Sequence, residues 1–234
     1  MREAGEGETV VLVHGLGVSG RYLQPLGEVL ARRRRVLVPD LPGWGESERP
    51  PHALDVEGAA EVLAELLRLE TAEPTAVVAN SLGCQFALAL GQRRPELVGP
   101  LVLIGPTVDP RYRSWLRHAW RIGVDTLREP VSLWPILLGD YARMGVSRVV
   151  ATARAALDDR PETRLRGLES PLLVLRGEHD GITTSDWGRR LASLAPRGRF
   201  EEVPRSAHAA HFSDPVPVAR LVESFLAEAG DRLG

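Results

Sequence analysis

Val77-Val78-Ala79-Asn80-Ser81-Leu82-Gly83 is the stretch that decides the fold. A short β-branched run leads into it, and an alanine- and leucine-rich segment, Leu82 to Gln92, leads away. The first half reads as a buried strand and the second as a helix that stops near Pro95. A serine at such a junction sits on a tight turn, with its hydroxyl lifted above the sheet edge and only small neighbours tolerated. The usual pattern is G-x-S-x-G. Here Ala79 takes the first position, so the turn is more constrained than with glycine. Taken alone, Ser81 also reads as a plain helix N-cap, a position serine favours.

Elsewhere, short apolar runs alternate with amphipathic ones. Strands are expected at Thr9–Val13, Val36–Val38, Ala76–Ala79, Leu101–Ile104, Leu172–Leu175 and Arg199–Val203. Helices are expected after the Gly15–Gly20 loop, at Asp55–Leu69, Leu82–Gln92, Ser185–Leu194 and Val216–Ala229. This alternation implies an α/β fold, a mostly parallel sheet of about six strands with helices on both faces. Between Pro106 and Arg166 there is helical periodicity but no convincing strand, too long for a loop. The expected division is a core of residues 1–106 and 167–234 and a helical insertion of residues 107–166.

The 234 residues, 44% hydrophobic and 26% charged, suit one globular domain with an insertion. The net charge is −2, which supplies no basic field for nucleic acid or an anionic membrane. All 29 basic residues are arginine, which excludes a catalytic lysine and a P-loop. Cys84 is the single cysteine, which excludes an intramolecular disulfide and a multi-thiolate zinc site. The start is acidic where a signal peptide would be basic and then apolar. The longest uncharged run, Pro74 to Gln92, has Asn80, Ser81 and Gln85 at its centre and makes a poor membrane span. The expected compartment is the cytoplasm.

Gly15-x-Gly17-x-x-Gly20 follows a strand and opens a helix, with Asp40 closing the next strand. That nearly matches the dinucleotide fingerprint. His14 before the first glycine and the turn-rich Leu41-Pro42-Gly43-Trp44-Gly45-Glu46-Ser47 after Asp40 argue for another use of the loop.

Two residues strengthen the nucleophile reading of Ser81. Asp180 lies just past the strand that starts at Leu172, and His208 lies in the loop after the next strand. The order Ser, Asp, His, each after its own strand, places all three at the carboxyl ends of a parallel sheet, where such folds build their sites. The competing acid is Asp109, which also follows a strand. The competing histidine is His211. His208 paired with His211 as metal ligands lacks a third partner, so no metal site is expected.

The chain resembles the α/β-hydrolase family, in its esterase-like branch. The matching motifs are His14-Gly-Leu-Gly17, Asp40-Leu-Pro-Gly-Trp-Gly-Glu-Ser47, Asn80-Ser-Leu-Gly83, Gly177-Glu-His-Asp180 and His208-Ala-Ala-His-Phe-Ser-Asp-Pro215. They span nearly the whole chain. The His208-to-Pro215 spacing matches the family, which favours His208 over His211, and the matching Gly-x-x-Asp context favours Asp180 over Asp109. The resemblance implies a Ser81–His208–Asp180 triad, an oxyanion hole from the backbone N–H groups of Leu16 and Leu82, no cofactor, and a helical cap over the pocket. It also implies that the antiparallel hairpin which often opens the family's sheet is missing, since so little chain precedes Thr9.

A serine nucleophile sets the chain apart from the haloalkane dehalogenase and epoxide hydrolase branches, which use aspartate. The expected reaction is cleavage of a small apolar or aromatic acyl substrate, an ester first. Asn80-Ser81-x-Gly83 also resembles the carbon–carbon hydrolases that cleave vinylogous diketones, but Ala209 stands where those often carry tryptophan. A non-catalytic receptor on the same fold is the remaining alternative. Trp44, Trp115, Trp120 and Trp134 are the expected apolar pocket lining, and a homodimer is left open.

Overall fold

The computed structural model describes residues 1–230. Seven strands form one sheet: β1 (Arg2–Ala4), β2 (Thr9–Val13), β3 (Arg35–Val38), β4 (Thr75–Asn80), β5 (Val98–Ile104), β6 (Leu172–Gly177) and β7 (Gly198–Val203). Their order across the sheet is β1-β3-β2-β4-β5-β6-β7, and every pairing except that of β1 is parallel. The six expected strands are all present.

The seventh strand adds an antiparallel edge to the expected mostly parallel sheet of about six strands, ahead of Thr9 where no strand was expected. Three residues, Arg2-Glu3-Ala4, pair antiparallel with β3. They carry no apolar alternation, so no hydrophobic pattern announces them. Ion pairs hold the strand instead: Arg2 to Asp40 at 3.2 Å and Glu3 to Arg35 at 2.6 Å.

Helices cover both faces. They are α1 (Gln24–Leu30), α2 (Val56–Glu70), α3 (Gly83–Arg93), α4 (Trp115–Thr126), α5 (Trp134–Met144), α6 (Val146–Asp158), α7 (Pro161–Arg164), α8 (Ser185–Leu194), α9 (Ala210–Ser213) and α10 (Pro215–Gly230). Successive strand residues point to opposite faces. Val77 and Ala79 of β4, with Leu172 and Val174 of β6, pack in the core under α2, α3 and α8. Their neighbours Ala76, Val78, Leu173 and Leu175 pack under α1 and α10. Both layers are buried, which explains the continuous apolar runs.

Helices α4 to α7 lie between β5 and β6, where the sequence predicts a helical insertion. No helix among the described residues is long and apolar enough to cross a membrane.

The start of α3 lies hard against the end of β2. A Cβ on Gly83 would stand 2.6 Å from the His14 carbonyl oxygen and 2.7 Å from that of Val13. Both obstacles are backbone and cannot swing aside. Gly83→Ala should therefore cost about 1–3 kcal/mol of stability. Urea unfolding followed by circular dichroism would read it, and an unchanged midpoint would refute the close approach.

Candidate active site

Ser81 occupies the left-handed region, φ = 56°, between β4 and α3. For a non-glycine residue this costs about 1–2 kcal/mol. Hydrogen bonds to the end of the neighbouring strand hold the turn. The Ile104 carbonyl accepts from the Ser81 N–H at 2.9 Å and from Asn80 Nδ2 at 3.1 Å. The Gly15 backbone lies against the serine: a Cβ there would be 3.0 Å from Ser81 Cβ and 3.5 Å from its Oγ. The His14–Gly17 loop and the serine turn thus share one edge of the sheet.

His14 holds that loop in place. Its Nε2 accepts from the Leu41 N–H at 3.2 Å while Nδ1 faces the Gly15 carbonyl at 3.0 Å, so Nδ1 carries the proton. Burial keeps the ring neutral, its pKa below the usual value. Asp40 is equally committed. It accepts from the Gly20 N–H at 2.6 Å and the Glu46 N–H at 3.1 Å and pairs with Arg2. The residue that could have bound a ribose instead ties two loops together, which removes the basis of the dinucleotide reading.

Asp180 and His208 meet as expected, with Asp180 Oδ2 2.9 Å from His208 Nδ1. The other oxygen, Oδ1, accepts from the N–H groups of Ile182 at 2.7 Å and Thr183 at 2.8 Å. Burial by itself would raise the Asp180 carboxyl; the His208 charge, its hydrogen bond and the two amides outweigh that and lower its pKa. Burial by itself would lower His208; Asp180, Asp125 and Glu129 outweigh that and raise it to about 9. The sequence alone offered only the reference value near 6.5. His208 Nε2 is buried and makes no hydrogen bond, to Ser81 or to any other described residue. Free hydrolytic sites often leave this contact open and close it on binding.

The alternatives take other roles. Asp109 is buried and forms hydrogen bonds with Arg111 and Thr184, away from His208. His211 is fully buried against the Tyr22 ring, 4.4 Å between centroids, and burial with the nearby His208 charge lowers its pKa to about 3. It packs as a neutral aromatic. Cys84 is a buried thiol whose pKa burial raises, and it faces the Ala79 carbonyl.

Ser81 and His208 line one cavity of about 290 Å³, together with Leu16 and Leu82. The four tryptophans do not line it, which corrects the expected pocket. Trp44 is fully buried between His14 and Phe86. Trp115, Trp120 and Trp134 turn outward, 43%, 68% and 37% exposed. The wall facing Ser81 is built instead by Ile122, Asp125, Thr126 and Glu129, at helical spacing along α4 and the turn after it. Leu133, Leu137 and Tyr141 add to it, as does Val108, which holds φ = 67° despite its branched side chain. Sequence reasoning missed the two acids, because a carboxylate on an amphipathic helix normally marks the solvent face.

The sequence model of the α/β hydrolase family matches residues 10–221. The chain belongs to that family. It is 31% identical over 267 residues to a 2-hydroxymuconate semialdehyde hydrolase of Pseudomonas putida, covering 98% of this chain and 90% of the relative. It is 27% identical over 249 residues to a pimeloyl-[acyl-carrier protein] methyl ester esterase of Chromobacterium violaceum, covering 95% of each. A thermophilic esterase from Thermogutta terrifontis superposes with a TM-score of 0.79 at 24% identity, over 97% of this chain and 92% of that one. A serine hydrolase of carbazole degradation superposes with a TM-score of 0.80 at 20% identity, over 96% and 93%. The protein is accordingly a hydrolase.

A proton NMR titration should place the His208 midpoint near 9. Asp180→Asn removes the adjacent negative charge and should lower that midpoint, whereas Asp109→Asn should leave it in place. The reverse pattern would make Asp109 the partner acid.

Proposed function

We propose that the chain is a serine hydrolase that cleaves a small, uncharged carboxylic ester through an acyl-enzyme. The observation that carries this reading is the buried Asp180–His208 pair opening onto the same cavity as the strained Ser81. In this mechanism Ser81 Oγ attacks the ester carbonyl while His208 Nε2 takes its proton. Asp180 fixes the imidazole tautomer and stabilises the cation that forms. The N–H groups of Leu16 and Leu82 receive the oxyanion, beside the amino end of α3. His208 then returns the proton to the leaving alkoxide, and a water repeats the sequence to free the acid. Residues 107–166 act as the cap that excludes bulk water.

A second reading, carbon–carbon bond hydrolysis, is favoured by the identity to the 2-hydroxymuconate semialdehyde hydrolase. The substrate in that name is a carboxylate. The cavity here carries Asp125 and Glu129, and no arginine among its described lining residues. Burial also raises the Asp125 carboxyl, and it raises Glu129 to about 7, so an anion would add repulsion where charge is already costly. An uncharged acyl group of modest size fits the largely apolar remainder.

Purified protein should hydrolyse p-nitrophenyl butyrate, and Ser81→Ala should reduce kcat/KM by about 10⁴-fold or more. Unchanged turnover in that variant would sink the nucleophile assignment; a wild-type protein without turnover would favour the receptor reading. The rate should climb with pH up to the His208 midpoint near 9, because only the neutral imidazole accepts the serine proton. The p-nitrophenyl ester of succinic acid, which carries a free carboxylate, should react at least about tenfold more slowly than the butyrate. Preference for the anionic ester would turn the assignment towards the carboxylate substrates of the second reading.

A further inference from the structure

The insertion grips the two loops that carry Asp180 and His208. Asp125 Oδ1 accepts from the N–H of Gly181, the residue after Asp180, at 2.6 Å. Glu129 Oε1 accepts from the N–H of Ala209, the residue after His208, at 2.6 Å. The two acids stand one helical turn apart. Both are buried, with Asp125 2% and Glu129 8% exposed, and both line the cavity. Glu129 Oε2 is buried without a partner. Two arginines from the same segment hold the acid loop from outside: Arg121 donates to the Ile182 carbonyl at 3.2 Å and Arg128 to the His179 carbonyl at 3.1 Å.

A carboxylate whose only task was packing would be a poor choice here, since burying it is costly. The geometry points to Asp125 and Glu129 as positioning residues, a clasp through which the insertion sets both the backbone placement and the protonation of His208. This inference rests on the hydrolytic reading of Ser81, His208 and Asp180.

Neither acid touches Ser81 in this role. Each fixes the backbone next to a triad side chain and adds negative charge near the imidazole. The titratable and charged groups around His208 are Asp180 from the loop after β6, Asp125, Arg128 and Glu129 from the insertion, and His211 from α9. Tyr22, after β2, and Cys84, on α3, complete the set, both neutral. The acids outnumber the one nearby cation, so undocking the clasp would make His208 easier to deprotonate while loosening its placement.

The test separates position from charge. Glu129→Ala loses the acceptor and the charge; Glu129→Gln keeps an oxygen for the Ala209 N–H and loses only the charge. With p-nitrophenyl butyrate at plateau pH, Glu129→Ala should lower kcat at least about tenfold, and Glu129→Gln should recover most of it. The rising limb of the pH profile should move to lower pH in Glu129→Gln, and so should the NMR titration midpoint of His208. Asp125→Asn should shift the midpoint in the same direction. Thermal unfolding of each variant identifies any that fails to fold, and the NMR midpoint in Glu129→Gln then decides alone. An unmoved midpoint in both conservative variants, or full activity in a folded Glu129→Ala, would overturn the clasp. Retained hydrolysis in Ser81→Ala would instead overturn the triad reading, leaving the NMR shift to stand or fall by itself.

Discussion

The left-handed turn at Ser81 is the constraint around which the rest is arranged. A side chain is held at φ = 56° because the Ile104 carbonyl binds the turn on one side and the His14–Gly17 loop presses on the other. The turn lets α3 leave β4 at an angle that brings its first residues onto the end of β2. Gly83 permits that approach, and the approach places Leu82 and Leu16 on the wall of the same cavity. His14 and Asp40, neither of which lines the cavity, serve this arrangement by tying the loops after β2 and β3 together. Strain of about 1–2 kcal/mol persists at one residue because its surroundings leave no room to relax.

The sheet was legible in the chain for a simple reason. A parallel strand covered on both faces must be apolar throughout, and the stretches from Thr9, Ala76, Leu101 and Leu172 are. Ser81 and Asp180 were legible because each follows such a strand, whereas His208 follows the more exposed edge strand β7 and was legible from its place after that strand and from its spacing to Pro215. β1 was not, since an edge strand of three residues, two of them charged, is held by Arg2–Asp40 and Arg35–Glu3 rather than by burial. The cavity wall was misread for a different reason. Large aromatics are the natural guess for an apolar pocket, yet composition does not say which face of α4 turns inward. The inward stripe is Ile122, Asp125, Thr126 and Glu129, and the tryptophans occupy the other side. The spacing of that stripe is helical, so the signal was present, but three of its four residues are polar and a hydrophobic template passes over it.

Asp140 extends the same pattern to the glycine-rich loop. It accepts from both the N–H and the hydroxyl of Ser19, at 2.8 and 2.6 Å. Three of the loops that border the cavity from the core are therefore met by a buried carboxylate from the insertion: Asp140 at the glycine-rich loop, Asp125 beside Asp180, Glu129 beside His208. Backbone N–H groups in loops lack the ladder partners that strands provide and must be satisfied some other way. Charged acceptors make such bonds stronger than neutral ones would, so the insertion contributes order to these loops.

This distribution polarises the cavity. On the His208 side stand three carboxyl groups, Asp180, Asp125 and Glu129. On the Ser81 side stand backbone amides and the amino end of α3, whose dipole is positive. Negative charge that develops on a carbonyl oxygen gains from the second side and would be opposed by the first. Positive charge that develops on the imidazole gains from the first. In the proposed acyl transfer the two charges of the tetrahedral intermediate are created together, and each would have a matching wall. A cavity that merely bound a neutral apolar ligand would have no use for that separation, whereas the proposed acyl transfer through Ser81 would draw on it.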